Sequence, residues 1–382
     1  MSSYLDYNAT TPIDSRVLAY MTEVYKNVIG NADSRTHDFG QNARQVVENA
    51  RQEVASLLNV NKDEIFFTSG ATESNNIAIQ GLAEYGIRNN KTHIITTAIE
   101  HKSVLNTFEI MRQKGFVVDI VYPESNGRIL SENILNKITN NTLLISVMHV
   151  NNETGIIQPV DAIGKELKKK KILFHIDATQ SCGKLVDEIR SLEYDMLSFS
   201  AHKFNGPQGI GALVLRKTNY KYPPIQNVYG GGQQENSFRP GTLPVALIAG
   251  IGKTCLIAQD NYKSDHQLCT KIKNNIMEQL NNSGLKYEVN GDQKFCVNST
   301  LNLSFNGINA EALMLASKEY CSISNGSACT SKSYAKSYVL EAMKLENNRI
   351  DSSVRLSWGR GSDCNEISIN FSKMIQKAKL LL

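Results

Sequence analysis

The chain has 382 residues, 41% hydrophobic and 20% charged, with 41 Lys and Arg against 37 Asp and Glu for a net charge of +4. Such a composition belongs to an ordinary globular protein, long enough for one large domain or two unequal ones. It carries no zinc finger, basic region or aromatic–basic RNA motif, so direct nucleic-acid binding is not expected.

Tyr4-Leu5-Asp6-Tyr7-Asn8-Ala9-Thr10-Thr11-Pro12 reads as a short strand breaking into a polar loop. No charged segment followed by an apolar one precedes it, so no signal peptide is expected. After Pro12, Val17, Leu18, Met21, Val24 and Tyr25 recur at helical spacing, and a second apolar face predicts a helix over 41–58. Residues 64–68 read as a strand that Ser69-Gly70-Ala71-Thr72-Glu73-Ser74 turns into a helix. The free N–H groups of such a helix start suit an anion, although Ser69, Thr72 and Glu73 read equally as helix caps. No G-x-x-x-x-G-K-[ST] run occurs, which excludes a nucleotide P-loop.

Strands follow over 92–97 and 143–150. His101 comes just after the first of them, at the kind of strand end where open α/β sheets bind ligands, and Asn152 lies in the turn after the second. His149, inside its strand, reads as structural. Lysines 168–171 read as a solvated helix end before a strand over 172–177 that closes on Asp177. Another apolar run leads into Ser198-Phe199-Ser200-Ala201-His202-Lys203, where Gly206, Gly209 and Gly211 break the chain. A strand–helix–strand spacing between Asp177 and Lys203 puts both at one sheet edge, with Ser200 and His202 as polar groups suited to an anion. An acid for a pyridinium nitrogen and a lysine for an aldehyde are what pyridoxal phosphate needs.

Strands and helices thus alternate from about residue 64 to 215, the pattern of an α/β fold with a mostly parallel sheet. Residues 230–242 are glycine-rich and loop-like, and residues 245–258 form an apolar run with Lys253, too short to span a bilayer and read as a buried helix. Beyond 260 the pattern becomes that of a smaller α+β domain. The division expected is 13–259 for a large domain, with 1–12 and 260–382 for a small one. Seven cysteines form no C-x-x-C pair or Cys/His metal spacing, so no metal is expected and a reducing, cytoplasmic compartment is. Among them Cys329 stands alone in Asn325-Gly326-Ser327-Ala328-Cys329-Thr330-Ser331, whose small polar residues cannot build a core. Cys321 reads as structural. Arg355 could grip a carboxylate bidentately or make a surface ion pair.

His175-Ile176-Asp177-Ala178-Thr179-Gln180-Ser181 followed by Ser198-Phe199-Ser200-Ala201-His202-Lys203 resembles the cysteine desulfurases of the NifS/IscS type, and the resemblance runs nearly end to end. It implies a fold-type I pyridoxal 5'-phosphate enzyme that converts L-cysteine to L-alanine. Lys203 would hold the cofactor, and Asp177 would face its ring nitrogen. Ala71 and Thr72, with Ser200 and His202, would line the cofactor site around its phosphate. His101 would stack on the ring and move protons, Asn152 would touch cofactor and substrate, and Gln180 would bond the phenolate oxygen. Arg355 would take the substrate carboxylate. Cys329 would receive the sulfur as a persulfide and pass it to an acceptor protein, for iron–sulfur assembly, tRNA thiolation or DNA phosphorothioation. Thr242 would reach the partner subunit's cofactor phosphate, which implies a homodimer with shared sites. The loop Gly30-Asn31-Ala32-Asp33-Ser34-Arg35-Thr36-His37 resembles the form in the phosphorothioation branch. Selenocysteine lyase and aminotransferase stand as alternative activities of the same fold, and a sulfur-relay scaffold subunit as the non-enzyme alternative.

Overall fold

The computed structural model describes residues 2–326 and 336–382. Its strands, in chain order, are β1 (Ser3–Tyr4), β2 (Ile65–Thr68), β3 (His93–Thr97), β4 (Val117–Val121), β5 (Thr142–Met148) and β6 (Leu173–Asp177). They continue as β7 (Met196–Ser200), β8 (Gly211–Leu215), β9 (Tyr287–Val289), β10 (Thr300–Phe305), β11 (Cys321–Ser322) and β12 (Ser353–Ser357). A seven-stranded sheet runs in the order β2-β8-β7-β6-β5-β3-β4. From β7 through β4 all neighbours are parallel, whereas β8 runs antiparallel to both β7 and β2.

Both faces of the inner strands are buried, which explains why they read as largely apolar runs rather than as a regular alternation with exposed polar residues. In β8, Ala212 and Val214 face one core and Leu213 and Leu215 the other. β4 escaped the sequence reading because it is an edge strand whose Val117 is exposed. Because the parallel strands share a direction, their C-terminal ends converge on one edge. There Asp177 pairs in register with Met148 and Ser198, and Gly211 with both Ser200 and Thr68.

A second body holds the antiparallel sheet β12-β10-β9, and β1 pairs in parallel with β11 beside it. Its core joins Leu5, Leu301, Leu303, Phe305, Leu356 and Phe371. The helix read over 245–258 continues to Ser283, so a boundary at residue 260 falls inside it. Ile248, Ile251, Cys255 and Ala258 enter the large core, and Cys269, Ile272, Ile276 and Leu280 the small one. Between them the stretch Gln259-Asp260-Asn261-Tyr262-Lys263-Ser264-Asp265-His266-Gln267 is mostly polar, so the apolar stripe lapses where the helix leaves one core for the other. Gly252 lets this helix meet the helix Asp38–Leu58, since a side chain there would strike the Ala50 backbone at 2.6 Å. No helix among the described residues is long and apolar enough to cross a membrane.

Candidate active site

A cavity of about 420 Å³ opens at the C-terminal ends of the parallel strands, where α/β sheets place ligands. Ala71, Thr72, His101, Asn152, Asp177, Gln180, Ser200, His202, Lys203 and Arg355 all line it. The tertiary structure therefore gathers ten of the predicted positions, drawn from across the chain, onto one surface. Two stand apart. Thr242 is exposed and outside this cavity, and Cys329 lies outside the described residues.

Asp177 ends β6 and is 4% exposed. Asn75 Nδ2 donates to its Oδ2 at 2.9 Å, while Thr179 N and Oγ1 donate to its Oδ1 at 3.0 and 2.5 Å. Donors at both oxygens suit an acceptor-only carboxylate. Asn75 is itself braced by Ser103 Oγ at 2.9 Å. One step along the same strand face, buried His175 lies between Ser146 Oγ and Ser198 Oγ at 2.8 and 2.9 Å. Burial pushes its ring down to about 4, so it stays neutral beneath the site.

Lys203 closes a single 3-10 turn, Ala201–Lys203, that follows β7 directly. Its Nζ donates to the backbone oxygens of Asn8 and Ala9 at 2.7 and 2.8 Å. The N-terminal loop is fastened over it: Thr11 Oγ1 donates to His202 O and accepts from Asn205 N. His202 Nδ1 lies 3.1 Å from Thr10 Oγ1. Burial first, then the charges of Lys203 and Lys184, push the His202 ring down to about 4.

At the far wall, Gly70 (φ +153°) lets the chain turn into the helix Ala71–Gln80, and no side chain caps that helix start. A side chain on Gly211 would strike the Gly70 backbone at 2.7 Å, so the two glycines permit β8 to pack against this turn. Glu73 folds back onto Ser69 N and accepts from Arg239 Nε at 3.0 Å, which neutralises the acid at the helix start. Of the residues read as alternative caps, Glu73 bonds the N–H of Ser69, which precedes the N-cap Gly70, and so caps none of the helix's own N–H groups.

His101 caps the helix Lys102–Gln113; its Nδ1 accepts from Ser103 N at 3.1 Å and lies 2.8 Å from Ser103 Oγ. These contacts put its proton on Nε2, and burial holds the ring below its ordinary value. Arg355, in β12 and 1% exposed, donates from Nη2 to Asp6 Oδ1 at 2.5 Å and from Nη1 to Asn152 O at 3.0 Å. Asn152 Oδ1 and Arg355 Nε have no hydrogen-bond partner among the described residues.

Residues 3–369 match the aminotransferase class-V family. The chain belongs to the class-V aminotransferases. Within that family it is 43% identical over 371 residues to cysteine desulfurase IscS of Shewanella sp. strain ANA-3, covering 95% of this chain and 89% of that protein. The IscS of Vibrio vulnificus strain YJ016 is 41% identical over 369 residues, with the same coverage. Among solved structures, a NifS-like protein superposes with a TM-score of 0.91 at 34% identity over the whole of both chains. DndA from Streptomyces lividans does so with a TM-score of 0.81 at 39% identity, covering 92% of this chain and 98% of that one. Class-V aminotransferases of this kind bind pyridoxal 5'-phosphate.

Sequence reading missed the residues that hold the chosen ones. Thr179, two positions after Asp177, carries a turn signal that could have been recognised. Asn75, Asn8 and Asp6 carry none, because they meet Asp177, Gln180 and Arg355 across 102, 172 and 349 residues of chain. Among the described cysteines, burial raises the thiols of Cys269 and Cys321 to about 12 and of Cys296 to about 11, and those of Cys182 and Cys255 also go up. Buried thiols of that kind are inert. No group of three or more His, Cys, Asp or Glu placed to hold a metal occurs among the described residues.

Proposed function

We propose that this chain takes sulfur from L-cysteine as a pyridoxal-phosphate-dependent cysteine desulfurase and passes it to an acceptor protein. The observation that carries the reading is the joining of Asp177, with donors on both oxygens, and Lys203 in one cavity beside an uncapped helix start. Those three features fit the cofactor's ring nitrogen, aldehyde and phosphate. Asn152 Oδ1 is buried there without a partner among the described residues, as expected of a group that meets a ligand. When bound, the cofactor supplies an electron sink for the substrate's carbanion.

The chain's own residues do the rest. Asp177 would accept the ring N–H, and Ala71 and Thr72, with Ser200 and His202, would hold the phosphate. His101, neutral, would cover the ring, and Gln180 would donate to the phenolate oxygen. Arg355, pinned by Asp6 and Asn152 O, presents its remaining donors to the substrate carboxylate. Lys203 Nζ moves the α-proton. Cys329 Sγ, as thiolate, attacks the substrate sulfur. The carbon–sulfur bond breaks, its electron pair stays with carbon and takes a proton to give alanine, and a persulfide is left on Cys329. The chain leaves the described region at Gly326, near Glu153 Oε2, and Ser337 Oγ donates to that same oxygen at 2.5 Å. Both flanks of the segment that carries Cys329 thus meet at the Glu153 carboxylate, next in sequence to the cavity residue Asn152.

We also propose a homodimer, in which exposed Thr242 serves the second subunit's cofactor phosphate. Cytoplasmic action rests on cysteine usage alone. The test is to incubate the cofactor-loaded protein with L-cysteine and measure alanine and the mass of Cys329. Alanine with an added sulfur atom on Cys329, both lost in Cys329→Ala, is the expected result. Cofactor-loaded protein that forms no alanine overturns the reading.

A further inference from the structure

Gln180 stands between two groups of fixed hydrogen-bonding character. Its Nε2 donates to Asn8 O at 3.0 Å, and its Oε1 accepts from Lys184 Nζ at 3.2 Å. A backbone oxygen only accepts and an ammonium only donates, so the amide has one favoured orientation. One N–H goes to Asn8, and the other is left for the cavity that Gln180 lines.

Lys184 itself is out of place. It is partly buried, lies in the wall of a second cavity of about 120 Å³ that Lys203 also lines, and makes no ion pair among the described residues. Its ammonium's hydrogen bond there is the one to Gln180. The neighbouring thiols of Cys182 and Cys269 are neutral, and burial pushes the ammonium down to about 8.

We infer that Lys184 is a positioning residue that holds the Gln180 amide oxygen, so that an N–H rather than a C=O faces the cofactor's phenolate oxygen. The inference rests on the assignment of Gln180 to that oxygen. Without Lys184 the buried Oε1 loses its donor, and turning the amide to satisfy it would set oxygen against oxygen.

The test uses apo protein titrated with pyridoxal 5'-phosphate by equilibrium dialysis, together with the visible absorption band of the bound cofactor. Lys184→Met is expected to raise the cofactor Kd roughly tenfold and to shift the band, as Gln180→Leu does. Lys184→Arg, which keeps a donor, restores both. The double variant is no worse than Gln180→Leu alone, because both changes remove one interaction. An unchanged Kd and band in Lys184→Met, with both altered in Gln180→Leu, overturns the role of Lys184. If Gln180→Leu changes neither, the assignment of Gln180 fails instead. Additive losses in the double variant, or an Arg variant that behaves like Met, show a general packing role and also overturn the inference.

Discussion

Glu100 is fully buried beside His101. Its Oε1 accepts from Thr97 Oγ1 at 2.7 Å and Met148 N at 2.9 Å, while Oε2 has no partner among the described residues. Burial pushes this carboxyl from its ordinary 4.5 up to about 8, and the charge of Asp177 adds to the rise. Between those values the folded state holds a proton that the unfolded chain has released, so stability falls as pH climbs through that window. Glu100→Gln removes the titration. Its melting temperature relative to the parent should therefore climb from pH 5 to pH 8 and level off above; a constant offset across that range would refute the account. Arg355 permits a second prediction. Lysine retains charge but not the planar fork, so Arg355→Lys should raise the KM for L-cysteine roughly tenfold or more while cofactor Kd stays unchanged. Steady-state kinetics beside a cofactor titration separate the two.

β2 is an edge strand of the large sheet, and an ion pair rather than another strand covers its edge. Phe67 N donates to Glu235 Oε2 at 2.7 Å, and Arg51 Nη1 donates to Ile65 O at 2.6 Å. Arg51 Nη2 donates to Glu235 Oε1 at 2.6 Å, so the pair itself is bidentate. It satisfies strand-edge groups that would otherwise invite pairing. It also anchors three successive left-handed residues, Glu235, Asn236 and Ser237, with φ of 48°, 53° and 64°. Such backbone persists only where surrounding contacts over-determine it. The same segment is braced by Gly241 N donating to Gln234 Oε1 at 3.0 Å, one residue before Thr242. Removing one partner leaves a buried charge, so Arg51→Met should cost about 3–5 kcal/mol in urea unfolding. Arg51→Met with Glu235→Met should cost less than the sum of the single changes. Full additivity would mean that the pair is not coupled.

The helix Val245–Ser283 is the member common to both cores. Its midpoint is exposed at Lys263 and Ser264. A proline there removes a backbone hydrogen bond and costs about 3 kcal/mol or more without disturbing either core. Lys263→Pro should therefore uncouple the two bodies, giving two calorimetric transitions where the parent gives one. A single, merely lowered transition would show that other contacts carry the coupling. The site depends on that coupling, since Arg355 comes from the small body's sheet and Asp177 and Lys203 from the large one.

The strands that make the large sheet were legible because burial on both faces writes them as short apolar runs bounded by polar turns. Asp177, Lys203 and the turn at Gly70 were legible too, since each sits where such a run ends. β4 was not, being half exposed, and neither was the length of the 245–283 helix, whose apolar stripe is interrupted between two cores. The sequence by itself determined the fold class, the sheet edge where Asp177 and Lys203 meet, and through its motifs ten residues that line the cavity there. Only the tertiary structure decided which groups orient them: Asn75 on Asp177, Asp6 on Arg355, Lys184 on Gln180 and the Asn8 and Ala9 carbonyls on Lys203. The physical reason is one of range. Periodicity and turn chemistry report on neighbours within a few residues, whereas a buried polar group finds its partner wherever folding brings one within 3 Å.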